Sequence, residues 1–206
     1  MTKDEYIIAA WNGDFEAVKR WLDGGGDVNA RGSWGGPLIA RDPEIFKFLI
    51  DNGADHKADY DIIGLQVWEV CPDNVDYLLE LGADPNGRPA NPGPNDTGET
   101  TLHGACSKST QQPERLRMIN ALLAYGADVN ARANIGVPTQ AFWRDVQVVG
   151  ETPLMRAAAY CSEEIIRRLL EAGADRSIRD GRDESAQSWA SRHWRTLEIV
   201  ELVGPQ

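Results

Sequence analysis

Cysteine is scarce in this chain: three in 206 residues, at Cys71, Cys106 and Cys161. Their number is odd and their spacing wide, which excludes a disulfide framework and points to a reducing compartment. Histidine is equally rare. His103 and Cys106 have metal-ligand spacing on one helix, but structural zinc needs four ligands and the flanking sequence offers no others, so both are read as packing residues. His56 and His193 are isolated, and nothing pairs a base with Cys161 as a nucleophile. No Gly-Lys-Ser/Thr follows Gly24-Gly25-Gly26, which excludes a phosphate loop there. The amino terminus has no apolar run, and no stretch is long enough to span a bilayer. These absences lead to the expectation of a cytoplasmic protein away from membranes, with no catalytic, metal or cofactor residues, that is not an enzyme.

Positive charge is short in one half. Residues 1–100 hold 19 Asp+Glu against 8 Lys+Arg, a balance of −11, whereas residues 101–206 hold 13 of each. An acidic half repels nucleic acid and steers a basic protein partner; solubility alone is the other reading. The arginines of the second half (Arg167, Arg168, Arg176, Arg179, Arg182) are interleaved with acids, as on a solvated helix face.

Repetition is abundant. Gly-Ala-Asp ends at Asp55, Asp84, Asp128 and Asp175, and Gly25-Gly26-Asp27 is an altered copy. Each follows an apolar segment at helical spacing, such as Ile165, Ile166, Leu169 and Leu170. The glycine suits the left-handed residue past a helix end, and the aspartate can accept N–H groups of the next turn. An earlier helix begins at Tyr6, at Thr100-Thr101-Leu102 and at Thr152-Pro153-Leu154, where threonine caps and proline takes the first helical position. The unit is a helix, a tight link, a second helix and a finger-like turn.

This closely resembles the ankyrin repeat: Thr-Pro-Leu, paired alanines as at Ala9-Ala10, then Gly-Ala-Asp and turns such as Asp128-Val129-Asn130. The resemblance implies an all-α solenoid, a single domain over 1–206 with repeats at about 2–34, 35–63, 64–97, 98–149 and 150–181 and a cap at 182–203. It also implies partner binding through a concave face made of first helices and fingers. Carried over, the residues after the paired alanines are Trp11 and Asn12, Ser107 and Lys108, and Ala159 and Tyr160. The finger residues are Trp34, Asp59, Tyr60, Asp61, Phe142, Trp143 and Arg144.

The spacing is irregular. The aspartates step by 28, 29, 44 and 47 residues, against a family period near 33. Repeats two and three shrink their first helices to Pro37–Ala40 and Gln66–Val70, and Pro43 and Pro72 open the second helices. Insertions fall at 88–97, 107–112 and 133–149. The last holds Phe142-Trp143-Arg144, side chains that often carry interface energy, although the aromatics could instead cover the stack. Trp21, Trp68 and Trp189 fit core positions. The function expected is protein recognition by a monomer, specifically an acidic inhibitor or immunity-type protein that masks a basic toxin or nuclease. The alternatives are a general scaffold or regulatory subunit, and an effector or enzyme with activity in the 133–149 insertion.

Overall fold

The computed structural model describes residues 1–33, 35–57, 62–87, 97–138 and 147–205. They fall into two compact units, Met1–Ala83 and Asp84–Gln206.

The first unit contains α1 (Lys3–Asn12), α2 (Phe15–Asp23), a 3-10 turn (Pro37–Ile39), α3 (Pro43–Asp51), α4 (Ile62–Trp68) and α5 (Pro72–Glu80). Each start has a local cause. Thr2 and Glu5 form a reciprocal capping box on α1. Asp14 caps α2 through the Ala17 N–H, and Asp42 caps α3 with Pro43 at the first position. Tyr6, Ile7, Val18, Phe46, Leu49, Val67 and Leu78 fill the core and are almost wholly buried.

The second unit contains α6 (Thr101–Ala105), α7 (Gln112–Ala124), β1 (Ile135–Pro138), β2 (Gln147–Val149), α8 (Pro153–Tyr160), α9 (Glu163–Glu171), α10 (Ala186–Arg192) and α11 (Leu197–Leu202). Thr152 caps α8, Ser162 caps α9 and Ser185 caps α10. Leu102, Met118, Ile119, Leu122, Leu154, Ile165, Leu169 and Trp189 form the core. No helix among the described residues is long and apolar enough to cross a membrane.

The recurring tripeptide is a complete helix terminator. Gly53, Gly82, Gly126 and Gly173 lie at φ 91, 85, 92 and 93°. The alanine after each sends its N–H back to a leucine carbonyl at 2.9–3.0 Å (Ala54 to Leu49, Ala83 to Leu78, Ala127 to Leu122, Ala174 to Leu169). This is the six-to-one bond of a Schellman ending. The aspartates act as expected: Asp27, Asp55, Asp84, Asp128 and Asp175 each accept the N–H two residues on, at 2.7–2.9 Å.

Four features depart from the sequence reading. The third repeat's first helix spans 62–68 rather than 66–70, because Ile62 and Ile63 enter the core. Val70, at φ 60°, stops it. The second repeat keeps only a 3-10 turn, Pro37–Ile39, whose three residues are too few for an α-helical turn. The fold is mostly helical and fits the expected all-α repeat fold, but it carries a short ribbon that the sequence reading did not foresee. The 133–149 insertion extends into an antiparallel ribbon, with Ile135 opposite Val149 and Pro138 opposite Gln147. Finally, Trp68 is 39 % exposed rather than core. Trp189 is buried as expected, and Trp21 is half-buried, stacked on Tyr6 at 5.1 Å with its Nε1 donating to the Asp27 carbonyl.

Candidate functional site

The link between the two helices of a repeat is the part whose side chains are not consumed by packing on both faces. It has a backbone signature. Gly13, Val70, Gln111 and Trp194 all take positive φ (80, 60, 53 and 51°) just before a second helix. That left-handed residue turns the chain back, so the residues immediately before it project from the link.

In the first unit, Trp11 sits two residues before Gly13, and Trp68 two residues before Val70. Each is 39 % exposed. The guanidinium of Arg41 lies over the Trp11 ring, 5.4 Å from its centroid. Its Nε is 3.8 Å from Glu69 Oε2. A row of one aromatic, one cation and one carboxylate therefore crosses the links of repeats one to three. Burial holds the nearby Cys71 thiol above its usual range, with Arg41 opposing that shift. Asn12 is exposed beside Trp11.

In the second unit, Lys108 and Tyr160 are half-buried at their links. The Tyr160 hydroxyl meets His193 Nε2 at 3.2 Å, and the two rings make an edge contact at 5.1 Å. His193 begins the corresponding link of the terminal unit, where Trp194 is 80 % exposed. Tyr160 and His193 thus form a continuous polar-aromatic edge. Ser107 and Ala159, expected at the same face, are buried instead. Ser107 Oγ donates to the His103 carbonyl at 2.6 Å and accepts Arg156 Nη1 at 3.0 Å.

Behind this edge lies a buried charge network that the sequence reading missed. Arg156 is fully buried and pairs with Glu151, also fully buried, and with Glu99. Glu151 Oε2 accepts the Val149 N–H at 2.8 Å, and its carbonyl meets His103 Nε2 at 3.1 Å. His103 Nδ1 lies 2.9 Å from Thr100 Oγ1. These bonds occupy both ring nitrogens, so His103 is a packing and capping residue, as expected. Arg115, also buried, donates to the carbonyls of Thr110 and Ala105. Cys161 Sγ lies 3.4 Å from the Cys106 carbonyl oxygen. A hydrogen bond with Cys161, and then burial, raise Cys106 well above the usual thiol range. Neither thiol is set up as a nucleophile. Among the described residues no three His, Cys, Asp or Glu side chains cluster to hold a metal. The Glu-Arg pattern points inward and is spent on joining repeats four and five.

Seven expected site residues lie outside the described residues: Trp34, Asp59, Tyr60, Asp61, Phe142, Trp143 and Arg144. Of the remainder, Trp11 and Asn12 lie together in the first unit, and Lys108 and Tyr160 in the second. Arg41 and Glu69 were not foreseen. Their signal was present: Glu69 precedes the Cys71 cap of a second helix by two residues, as Asn12 precedes Asp14 and Tyr160 precedes Ser162, and Arg41 directly precedes the Asp42 cap.

Comparison with known proteins agrees with this geometry. The family model for the ankyrin repeat matches residues 97–134 and 149–181. No curated protein matches the chain. The first match ends in the Schellman turn at Gly126 and the Asp128 turn, and the second in those at Gly173 and Asp175, features the first unit shares at Gly53 and Asp55. By these matches, the chain carries ankyrin repeats at residues 97–134 and 149–181, and ankyrin repeats are protein–protein interaction modules.

Proposed function

We propose that the protein recognises a basic protein partner through its links and fingers, and acts by masking it without performing chemistry of its own. One observation carries this reading. The unit that presents Trp11, Met1–Ala83, holds 16 Asp+Glu against 7 Lys+Arg, a balance of −9. The unit Asp84–Gln206 holds 16 against 14, a balance of −2. Charge of one sign around an exposed aromatic gives both steering and an anchor. A partner whose own ligand is anionic, such as a nuclease-type toxin, would have its basic surface occupied and its substrate excluded. That is the inhibitor or immunity-type role, exercised by a monomer in the cytoplasm. The scaffold reading differs in that partner activity would survive binding.

The test is affinity capture from source cells with wild type and with the Trp11→Ala, Tyr160→Ala variant, followed by assay of the captured protein. A basic partner, released by salt, lost in the variant and inactive while bound supports masking. A partner that stays fully active in the complex moves the protein to the scaffold class. A partner of acidic surface would refute the charge argument.

A further inference from the structure

The contact between Arg41 and Trp11 is informative because of where it occurs. The guanidinium of Arg41 is placed over an exposed indole, with the Glu69 carboxylate alongside. Half of the Arg41 side chain remains exposed, and Glu69 is 22 % exposed. The contacts are of the weak kind: a cation over an aromatic face at a wet site, an ion pair at 3.8 Å, and a hydrogen bond with the Cys71 thiol. They orient Arg41 without holding it firmly. The indole face and the carboxylate together make a receptor for a planar cation, and that receptor is reachable from solvent. Arginine fits it better than lysine, because a guanidinium can stack flat on the ring while directing N–H groups sideways to a carboxylate. The surrounding unit, at −9, favours a cationic ligand and disfavours an anionic one.

We infer that Trp11 and Glu69 form a docking site for an arginine side chain of a basic protein segment, with Arg41 occupying that site in the free protein. The inference rests on the reading of a basic partner given above and deepens it. Binding is an exchange: the incoming arginine takes the ring face, and Arg41 swings into solvent. The resident arginine then sets a threshold. A single cationic side chain gains little over Arg41, whereas a segment with several arginines gains from the acidic unit as a whole. Arg41 is thus a competitor that favours extended basic partners over isolated cations.

Calorimetric titration of the full chain with a short alternating Arg-Gly peptide, and with its Lys-Gly counterpart, tests this. Arg41→Ala should tighten Arg-Gly binding several-fold. Arg20→Ala removes the same charge from the exposed face of α2 and should tighten it much less. Trp11→Ala should weaken it about two- to five-fold, the worth of an exposed cation–aromatic contact, with Trp11→Phe intermediate and Glu69→Gln also weaker. Because Trp11→Phe keeps a ring in place, it decides the matter if Trp11→Ala melts early. Equal effects of Arg41→Ala and Arg20→Ala would overturn the site, as would indifference to Trp11, preference for Lys-Gly, or no binding of either peptide. These results leave partner recognition itself to the capture experiment, where a basic partner insensitive to Arg41 and Trp11 would separate the two failures.

Discussion

Asn130 grips the next repeat at Asp175: its Oδ1 accepts the Asp175 N–H at 2.8 Å while its Nδ2 donates to the Gly173 carbonyl at 3.1 Å. Asn86 does the same to Asp128 and Gly126, and Asn29 to Asp55 and Gly53. One side-chain amide thus uses both its donor and its acceptor to fix the spacing of successive turns. Asn130→Ala should cost about 1–2 kcal/mol by loss of two such bonds, and Asn130→Asp nearly as much, since a carboxylate cannot donate. Chemical denaturation reads this as a lower midpoint with unchanged slope; an unchanged midpoint would show the grip to be idle.

Arg156 should be costly to remove. Its loss leaves Glu151 fully buried without its ion-pair partner, with Glu99 nearby. Breaking one side of a buried pair typically costs about 3–5 kcal/mol. Arg156→Met should therefore lower Tm sharply, and Arg156→Met with Glu151→Gln should recover part of the loss. A double variant no better than the single would mean that the arginine is valued for packing alone.

Backbone strain is stored at Trp194, a bulky residue at φ 51° whose side chain is 80 % exposed. The left-handed region costs such a residue about 1–2 kcal/mol, and glycine returns about 0.5–1 kcal/mol of chain entropy. Trp194→Gly should be neutral to stabilising by about 1 kcal/mol in thermal melts. A clear loss of stability would mean the indole is held by contacts worth more than the strain.

Acid sensitivity has a local source. The Ser177 hydroxyl and backbone N–H hold the Asp175 carboxyl below its usual range. A carboxyl depressed in the folded state stabilises above its unfolded pKa, and that contribution is lost as pH falls through the folded pKa. Asp175→Asn should flatten the acid limb of the stability–pH curve below the ordinary carboxylate range while leaving the neutral limb parallel to wild type. An unaltered acid limb would contradict it.

The three thiols are buried. Native protein should react with an aromatic disulfide reagent only as fast as it opens, whereas all three react at once in denaturant. Fast stoichiometric labelling of a single native thiol would disprove this.

Legibility in the sequence followed the physics of each feature. Gly-Ala-Asp was readable because one backbone problem, the end of a helix, has one cheap solution at each occurrence. The Thr152 cap was readable for the same reason. The ribbon at 135–138 and 147–149 was not, because its pairing joins residues across an insertion with no turn signal of its own. Trp68 was misread as core, since helical spacing does not distinguish the last turn, where the chain leaves the stack, from the turns inside it. Arg156 and Glu151 are five residues apart in sequence, but Glu99 and Ser107 reach them from the preceding repeat. Such a network is invisible until the repeats are stacked. Arg41 was missed because its meaning depends on Trp11, thirty residues away.

The most direct measurement is hydrogen exchange on the purified complex with the captured partner. Recognition through links and fingers predicts new protection at the segments around Trp11 and Arg41, and at Lys108 and Tyr160, with little change on α2, α3 and α9. Protection confined to α2, α3 and α9, with the links exchanging as in the free protein, would place the partner on the opposite helices and contradict the reading.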